Sequence, residues 1–260
     1  MCDATLLAQA FDLRTLRLSG DPFPVAEDLS YFNPTGDADF SVSENGVLAF
    51  KAGAIVSRLI WFDRKGVEQG SVGEAGTYGR LRLSPDGQRL AADIIDPHTG
   101  TSDIWIYELP RGTSRRVTVD IEQEFGAIWS PDKHQLVFAK DKEGPPHLFL
   151  MDLNNSNEAE ELVPVSGGVQ SPDDWSASGQ FLIYEDQNPG TGYDLWLLPM
   201  TGERRPSAFL RTRFNEWGAR LSQDGRWVAC VSDESGRPEV YVRTFGNSER
   251  GTPQPAWGAK

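Results

Sequence analysis

Five segments of this chain align on one serine, and that register constrains the fold more than any other feature. They read Val42-Ser43-Glu44-Asn45-Gly46, Leu83-Ser84-Pro85-Asp86-Gly87, Trp129-Ser130-Pro131-Asp132-Lys133, Trp175-Ser176-Ala177-Ser178-Gly179 and Leu221-Ser222-Gln223-Asp224-Gly225. The serines are spaced by 41, 46, 46 and 46 residues. Each segment carries the chemistry of a tight turn. Proline presets φ, Asp or Asn bonds its own backbone, and glycine tolerates the closing geometry. A short apolar run follows each turn, at 47–50, 90–92, 136–139, 181–184 and 227–231. The serine motif is therefore the link of a hairpin between two strands.

A second signature lies about 20 residues after each serine: Leu59-Ile60-Trp61-Phe62, Asp103-Ile104-Trp105-Ile106-Tyr107, His147-Leu148-Phe149-Leu150, Asp194-Leu195-Trp196-Leu197 and Glu239-Val240-Tyr241-Val242. These β-rich runs carry an aromatic at a corresponding place. A fourth run closes most units, as at 115–119, 160–164 and 206–210. Four short strands per repeated unit predict an all-β fold, a β-propeller of four-stranded blades. A helical solenoid is excluded because no unit holds a long run of period 3.6, and a two-sheet sandwich would not need a repeated unit. Trp61, Trp105, Trp129, Trp175 and Trp196 are expected to fill the gaps between blades, not to cage a ligand.

The register divides a single domain, 1–260, into blades at 30–72, 73–119, 120–164, 165–211 and 212–252. Residues 1–29 resemble the last two strands of a blade, and 253–260 the opening of a further one. Only 247–252 remain for the last strand of the fifth unit. Six blades are expected, one shared incompletely between the termini, since such sharing hides the edges of an open arc. An incomplete ring, or a fragment of a longer gene product, stays open as an alternative.

With these residues in hand the chain resembles the TolB-like, WD-type propeller family, whose turn reads Ser-Pro-Asp-Gly after an aromatic and whose third strand reads Asp-Ile-Trp. Ser84-Pro85-Asp86-Gly87, Trp129-Ser130-Pro131-Asp132 and Asp103-Ile104-Trp105 match it, while Lys133 departs from it. More narrowly, Phe11-Asp12-Leu13, Asp39-Phe40-Ser41-Val42-Ser43 and Ser232-Asp233-Glu234-Ser235-Gly236 are similar to propeller regions behind bacterial serine/threonine kinases or DNA-binding regulators. That resemblance implies a periplasmic or extracytoplasmic sensor or docking surface. The start of the sequence does not read as a signal peptide.

The residues offer little catalytic chemistry. No Gly-x-Ser-x-Gly elbow occurs, and the expectation is that the chain is not an enzyme. His98, His134 and His147 lack zinc-ligand spacing, and Cys2 and Cys230 form neither a disulfide framework nor a metal motif. A formal net charge of −13 argues against gripping phosphate backbones, so no nucleic acid partner is expected. No apolar stretch is long enough to insert in a bilayer.

Acidic residues just ahead of first strands are better candidates. Asp37, Asp39, Glu122, Glu124, Asp173, Asp174 and Glu216 could converge at the mouth of a central channel, beside Arg80, Arg82 and Arg220. Of these, Asp37, Asp39, Arg80, Glu124, Asp173, Asp174, Glu216 and Arg220 are expected to form a partner-binding rim. The Asp-, Gly- and Pro-rich loops 93–101, 141–146, 185–192 and 232–238 share it. The expected partner is a protein or peptide. No cofactor is expected, although carboxylates meeting there with carbonyls could also take Ca2+. The alternative function is a propeller that gates substrate to a serine hydrolase or peptidase domain.

Overall fold

The serine of each repeat organises its turn with its own hydroxyl. In the computed structural model the Ser84 hydroxyl donates to Asp86 Oδ1 at 2.6 Å and accepts from the Arg89 amide at 2.9 Å. Ser222 makes the same pair of bonds with Asp224 and Trp227, at 2.6 and 2.9 Å. Ser130 repeats them with Asp132 and Gln135, Ser176 accepts from the Phe181 amide at 3.0 Å, and Ser43 from Val47 at 3.0 Å. The motif satisfies the first amide of the second strand where no ladder partner is available. The Ser222 hydroxyl, followed by Arg226, lowers the Asp224 carboxyl to about 2.

Three positions after the serine the backbone turns left-handed. Gly87, Gly179 and Gly225 have φ of 66°, 74° and 65°, and Lys133 has φ of 69°. A side chain there costs about 1–2 kcal/mol. Lys133→Gly is therefore expected to stabilise the protein by up to about 1 kcal/mol, the gain being reduced by the greater freedom of unfolded glycine. A urea midpoint that stays level or falls would show that Lys133 makes compensating contacts.

The structure describes residues 5–12, 14–26, 31–32, 37–38, 40–43, 47–50, 56–96, 101–109, 111–142, 144–154, 158–163, 168–247 and 253–256. Among them every regular element is a β-strand, and no helix is long and apolar enough to cross a membrane. The chain divides into two units, Met1–Val117 and Thr118–Lys260.

In the first unit β1 (Leu6–Asp12) and β2 (Arg17–Ala26) form an antiparallel hairpin, and β3 (Tyr31–Phe32) pairs with β4 (Asp37–Ala38). Then β5 (Phe40–Val42), β6 (Leu48–Phe50), β7 (Ser57–Phe62), β8 (Glu68–Leu83), β9 (Arg89–Ile95), β10 (Ser102–Glu108) and β11 (Thr113–Arg116) lie side by side in one sheet. Its middle strand, β8, pairs with β7 over its first part and with β9 over its last. One strand thus closes one repeat and opens the next, running through the 72/73 junction of the repeat register. Leu59, Val72, Tyr78, Leu81, Leu90 and Tyr107 form the core of this unit, with Trp61 and Trp105 packed against it.

The second unit is three four-stranded antiparallel sheets in sequence order: β12 (Glu124–Trp129), β13 (Gln135–Lys140), β14 (His147–Asp152) and β15 (Glu160–Glu161); β16 (Val169–Trp175), β17 (Phe181–Asn188), β18 (Gly192–Pro199) and β19 (Ser207–Leu210); β20 (Glu216–Leu221), β21 (Trp227–Ser232), β22 (Glu239–Asn247) and β23 (Pro253–Ala256). First strands neighbour one another, β12 against β16 and β16 against β20. Apolar layers fill both gaps. Ile128, Leu148, Trp175, Leu182 and Tyr184 fill the first, with Trp196 against them; Ile183, Leu195, Phe209, Val228 and Tyr241 fill the second. Burying each such side chain contributes about 1.5–3 kcal/mol. The tryptophans therefore pack between or against sheets, as their repeat positions predict.

The last sheet differs from the sequence reading. Its fourth strand is Pro253–Ala256, with Phe245 opposite Pro255. The repeat register places residues 253–260 at the opening of a further blade. Because β22 runs on to Asn247, it consumes the start of the segment that had been assigned to the fourth strand, and the hairpin partner shifts downstream.

Candidate functional site

Every first strand that follows a described repeat boundary carries a β-bulge at a corresponding place, between Tyr78 and Leu81, Phe125 and Ile128, Pro172 and Asp174, and Trp217 and Arg220. A bulge leaves amides without a ladder partner, and buried amides must be satisfied. Carboxylates do this. Asp93 Oδ2 accepts from the Arg80 amide at 3.1 Å, and Glu185 Oε1 from Gly218 at 2.8 Å. Asp173 Oδ2 accepts from Ala219 at 3.0 Å, and Asp174 Oδ2 from Leu221 at 2.8 Å. The Arg220 guanidinium donates to the Asp173 and Ala219 carbonyls at 2.8 and 2.7 Å.

Asp173, Asp174 and Arg220, all expected on a binding rim, thus meet in the seam between β16 and β20. Asp173 is only 1% exposed. Glu216 is also buried, and the Thr212 hydroxyl donates to it. Burial raises its carboxyl, with the charge of Asp194 acting in the same direction. Arg80 belongs to the bulge of β8, and Asp37 to β4. Asp39, His98 and Cys2 lie outside the described residues. His147 is buried against the Phe149 ring at 4.8 Å. Cys230 is buried, which pushes its thiol up to about 12.

Glu124 opens a different arrangement. Oxygens of Asp120, Glu122 and Glu124 lie within 4.8 Å of one another. The ammonium of Lys140 sits among them, 3.2 Å from Glu124, 3.6 Å from Glu122 and bonded to Asp120. Burial opposes the lysine charge, but the carboxylates outweigh it and its pKa is raised. The cluster carries its own cation, and Ca2+ would have to displace a tethered ammonium.

Lys140 is the middle of a row across three strands, Glu124–Lys140–His147, in register and so on one sheet face. The next sheet has the corresponding row Gln170–Asp186–Asp194, and the last has Glu216–Ser232–Glu239. In the Gln170 row an acid replaces the lysine. Gln170 donates weakly to Asp186 Oδ2 at 3.4 Å. Asp194 Oδ2 accepts from the Thr191 hydroxyl at 2.5 Å, with Arg211 at 3.6 Å. Among the described residues, Gln170 Oε1, Asp186 Oδ1 and Asp194 Oδ1 are buried with no hydrogen-bond partner, as is Trp196 Nε1.

Two residues along the same face lies an aromatic row, Tyr184 opposite Trp196. Both rows line a cavity of about 360 Å³, with Val163, Asn188, Pro206 and Arg211. Arg211, half exposed, borders it on the solvent side. Burial raises the Asp194 carboxyl, and the Asp186 charge adds to the rise. Orphaned buried acceptors are rare enough in folded proteins to require an explanation, and the three residues that carry these all line one cavity.

The TolB beta propeller domain matches residues 66–205, more than half of the chain. The chain belongs to the TolB beta-propeller family. The Tol-Pal system protein TolB of Wolinella succinogenes is 27% identical over 164 residues, covering 62% of this chain and 38% of that protein. The uncharacterized peptidase YuxL of Bacillus subtilis is 34% identical over 106 residues, 39% of this chain and 16% of the relative. TolB from Acinetobacter baumannii, a crystal structure, superposes with a TM-score of 0.70 at 18% identity, over 91% of this chain and 59% of that one. The fold is thus an all-β TolB-type propeller, and the chain matches only part of each of these relatives.

Proposed function

We propose that this TolB-type propeller is a non-catalytic module that binds a protein or peptide, and that the cavity lined by the β16–β19 sheet together with Val163 is where it does so. The observation that carries this reading is the set of orphaned acceptors in a cavity bordered by an exposed arginine. A buried carboxylate with one oxygen left unbonded is costly, and a ligand that supplies donors reduces that cost. Family membership supports the reading, since one relative is named as a component of the Tol-Pal system.

A second reading, a propeller that gates substrate to a peptidase domain, is favoured by the 34% identity to a relative named as a peptidase. The narrower likeness to propellers behind kinases or regulators is checked by sequencing the genomic DNA on both sides of the reading frame. An in-frame catalytic or regulator domain there would identify the parent protein.

The binding reading is tested with the full chain on a random peptide library. Saturable binding to a subset of sequences, competed by the same peptides in solution, is the expected result. The chain should also leave acyl and peptide reporter substrates unturned relative to a denatured control. A library without hits would remove the binding reading, and turnover would remove the non-catalytic one.

A further inference from the structure

We propose that the cavity recognises a primary ammonium group, the side chain of a lysine in the peptide partner. This rests on the peptide-binding reading and specifies what the site selects.

The first argument is the number and placement of donors needed. Gln170 Oε1, Asp186 Oδ1 and Asp194 Oδ1 come from three adjacent strands at one level of the sheet and are buried without partners among the described residues. A primary ammonium offers three N–H donors from one centre and no acceptor. Two carboxylates and an amide oxygen match it in number and sign.

The second argument is internal to the chain. In the neighbouring sheet the corresponding row places the Lys140 ammonium against Glu124, at 3.2 Å, with Asp120 and Glu122 completing its surroundings. The fold therefore already seats an alkylammonium at this level of one sheet. In the next sheet the lysine position is Asp186, so the row is acidic and supplies no ammonium of its own. Arg211 lies 3.6 Å from Asp194 Oδ2 and over the Trp196 ring at 5.9 Å, and it leaves Asp194 Oδ1 unbonded.

The third argument is the wall. Tyr184 and Trp196 stand next to the polar row on the same face; with the Arg211 guanidinium over the Trp196 ring, an aliphatic stem leading to a charge would lie along Tyr184 and the indole edge. Trp196 Nε1, also unpartnered, remains as a donor for a partner carbonyl. A cavity of about 360 Å³ fits a side chain and is larger than a bare ion requires. The metal-like convergence of three acidic groups within 4.8 Å occurs, among the described residues, only at Asp120, Glu122 and Glu124. Binding should weaken as the pH falls and Asp194 takes up a proton, because burial and Asp186 have already raised its carboxyl.

The test is calorimetric titration of the full chain with a blocked tripeptide bearing a central lysine, against the Nε-acetyl-lysine, norleucine and arginine versions and against cadaverine. The lysine peptide should bind saturably, and the acetyl and norleucine peptides at least about tenfold more weakly. Asp186→Asn and Asp194→Asn should each weaken lysine binding by a similar factor. Asp186→Asn removes a buried charge beside a like charge and should not lower the thermal midpoint, whereas Asp194→Asn also weakens the contacts with the Thr191 hydroxyl and Arg211 and should lower it modestly. Equal binding of the acetyl, norleucine or arginine peptide, or unchanged binding in both variants, would overturn the proposal. Cadaverine binding as tightly as the peptide would assign the site to small amines and overturn the peptide source. Library peptides that bind without lysine and ignore Asp186→Asn would end this inference while the peptide-binding reading stands. An empty library would end both.

Discussion

Replacing Lys140 with methionine is expected to destabilise the protein by about 3–5 kcal/mol at pH 7, the range for breaking a buried ion pair from one side. The Lys140 side chain is 8% exposed and that of Glu124 is fully buried. Methionine keeps the stem but strands Glu124 beside Glu122 and Asp120 without a counter-ion. The pH dependence identifies the cause. Uncompensated buried carboxylates have raised folded-state pKa values, so their penalty develops as pH rises above the unfolded value of about 4.3 and vanishes below it. Urea unfolding at pH 7 and at mildly acidic pH should therefore show a large deficit that shrinks on acidification. A second change, Glu124→Gln in the Lys140→Met background, should restore part of the loss. A deficit that is small or independent of pH would mean that the ammonium does not neutralise the cluster.

The second large effect is expected at Asp173. Asp173→Ala removes the acceptor of the Ala219 amide at 3.0 Å in the seam between β16 and β20, and with it the carboxylate 3.6 Å from Arg220. Hydrogen bonds to charged groups contribute about 1.5–3 kcal/mol each, and the orphaned amide adds its desolvation. A loss of about 3 kcal/mol is expected, against about 1–2 kcal/mol for Asp174→Ala, whose carboxylate is more accessible. A rim residue used for binding would behave in the opposite way, losing partner affinity with stability intact. Denaturation and peptide binding measured on the same two variants separate these roles.

The contrast at Asp173 shows how far the residues could be read without coordinates. Asp173 and Asp174, which the repeat places ahead of a first strand, lie within β16 and are consumed by amides that a bulge had released. A bulge has no strong sequence signature. The one signal was the aromatic-glycine pair repeated at Phe125-Gly126 and Trp217-Gly218, whose glycines take φ of 73° and 65°. The cavity was missed for a different reason. Asp194 belongs to the third-strand motif and reads as part of the fold, while Asp186 falls in the Asp-, Gly- and Pro-rich segment 185–192, which reads as a loop. That β17 continues through Asn188, bringing Asp186 into register with both Gln170 and Asp194, is a matter of strand pairing. Aligning the repeats on their serines does put Asp186 where the preceding repeat has Lys140, and that charge reversal was the available clue.

The sequence by itself determined the repeating unit, the serine-centred turns, the all-β class and the packing role of Trp61, Trp105, Trp129 and Trp175. Those features depend on contacts between residues close along the chain, or on a period that recurs whatever the neighbours do. Tertiary structure decided which carboxylates stay solvated, which bind backbone amides and which carry an internal lysine. It also moved the last strand to Pro253–Ala256. Ionic and hydrogen-bond partners are set by register between strands and between sheets, where a shift of one residue exchanges a side chain from one face to the other. The same residue type, aspartate, therefore serves as a turn lock at Asp224, a seam clamp at Asp173 and a half-satisfied acceptor at Asp186.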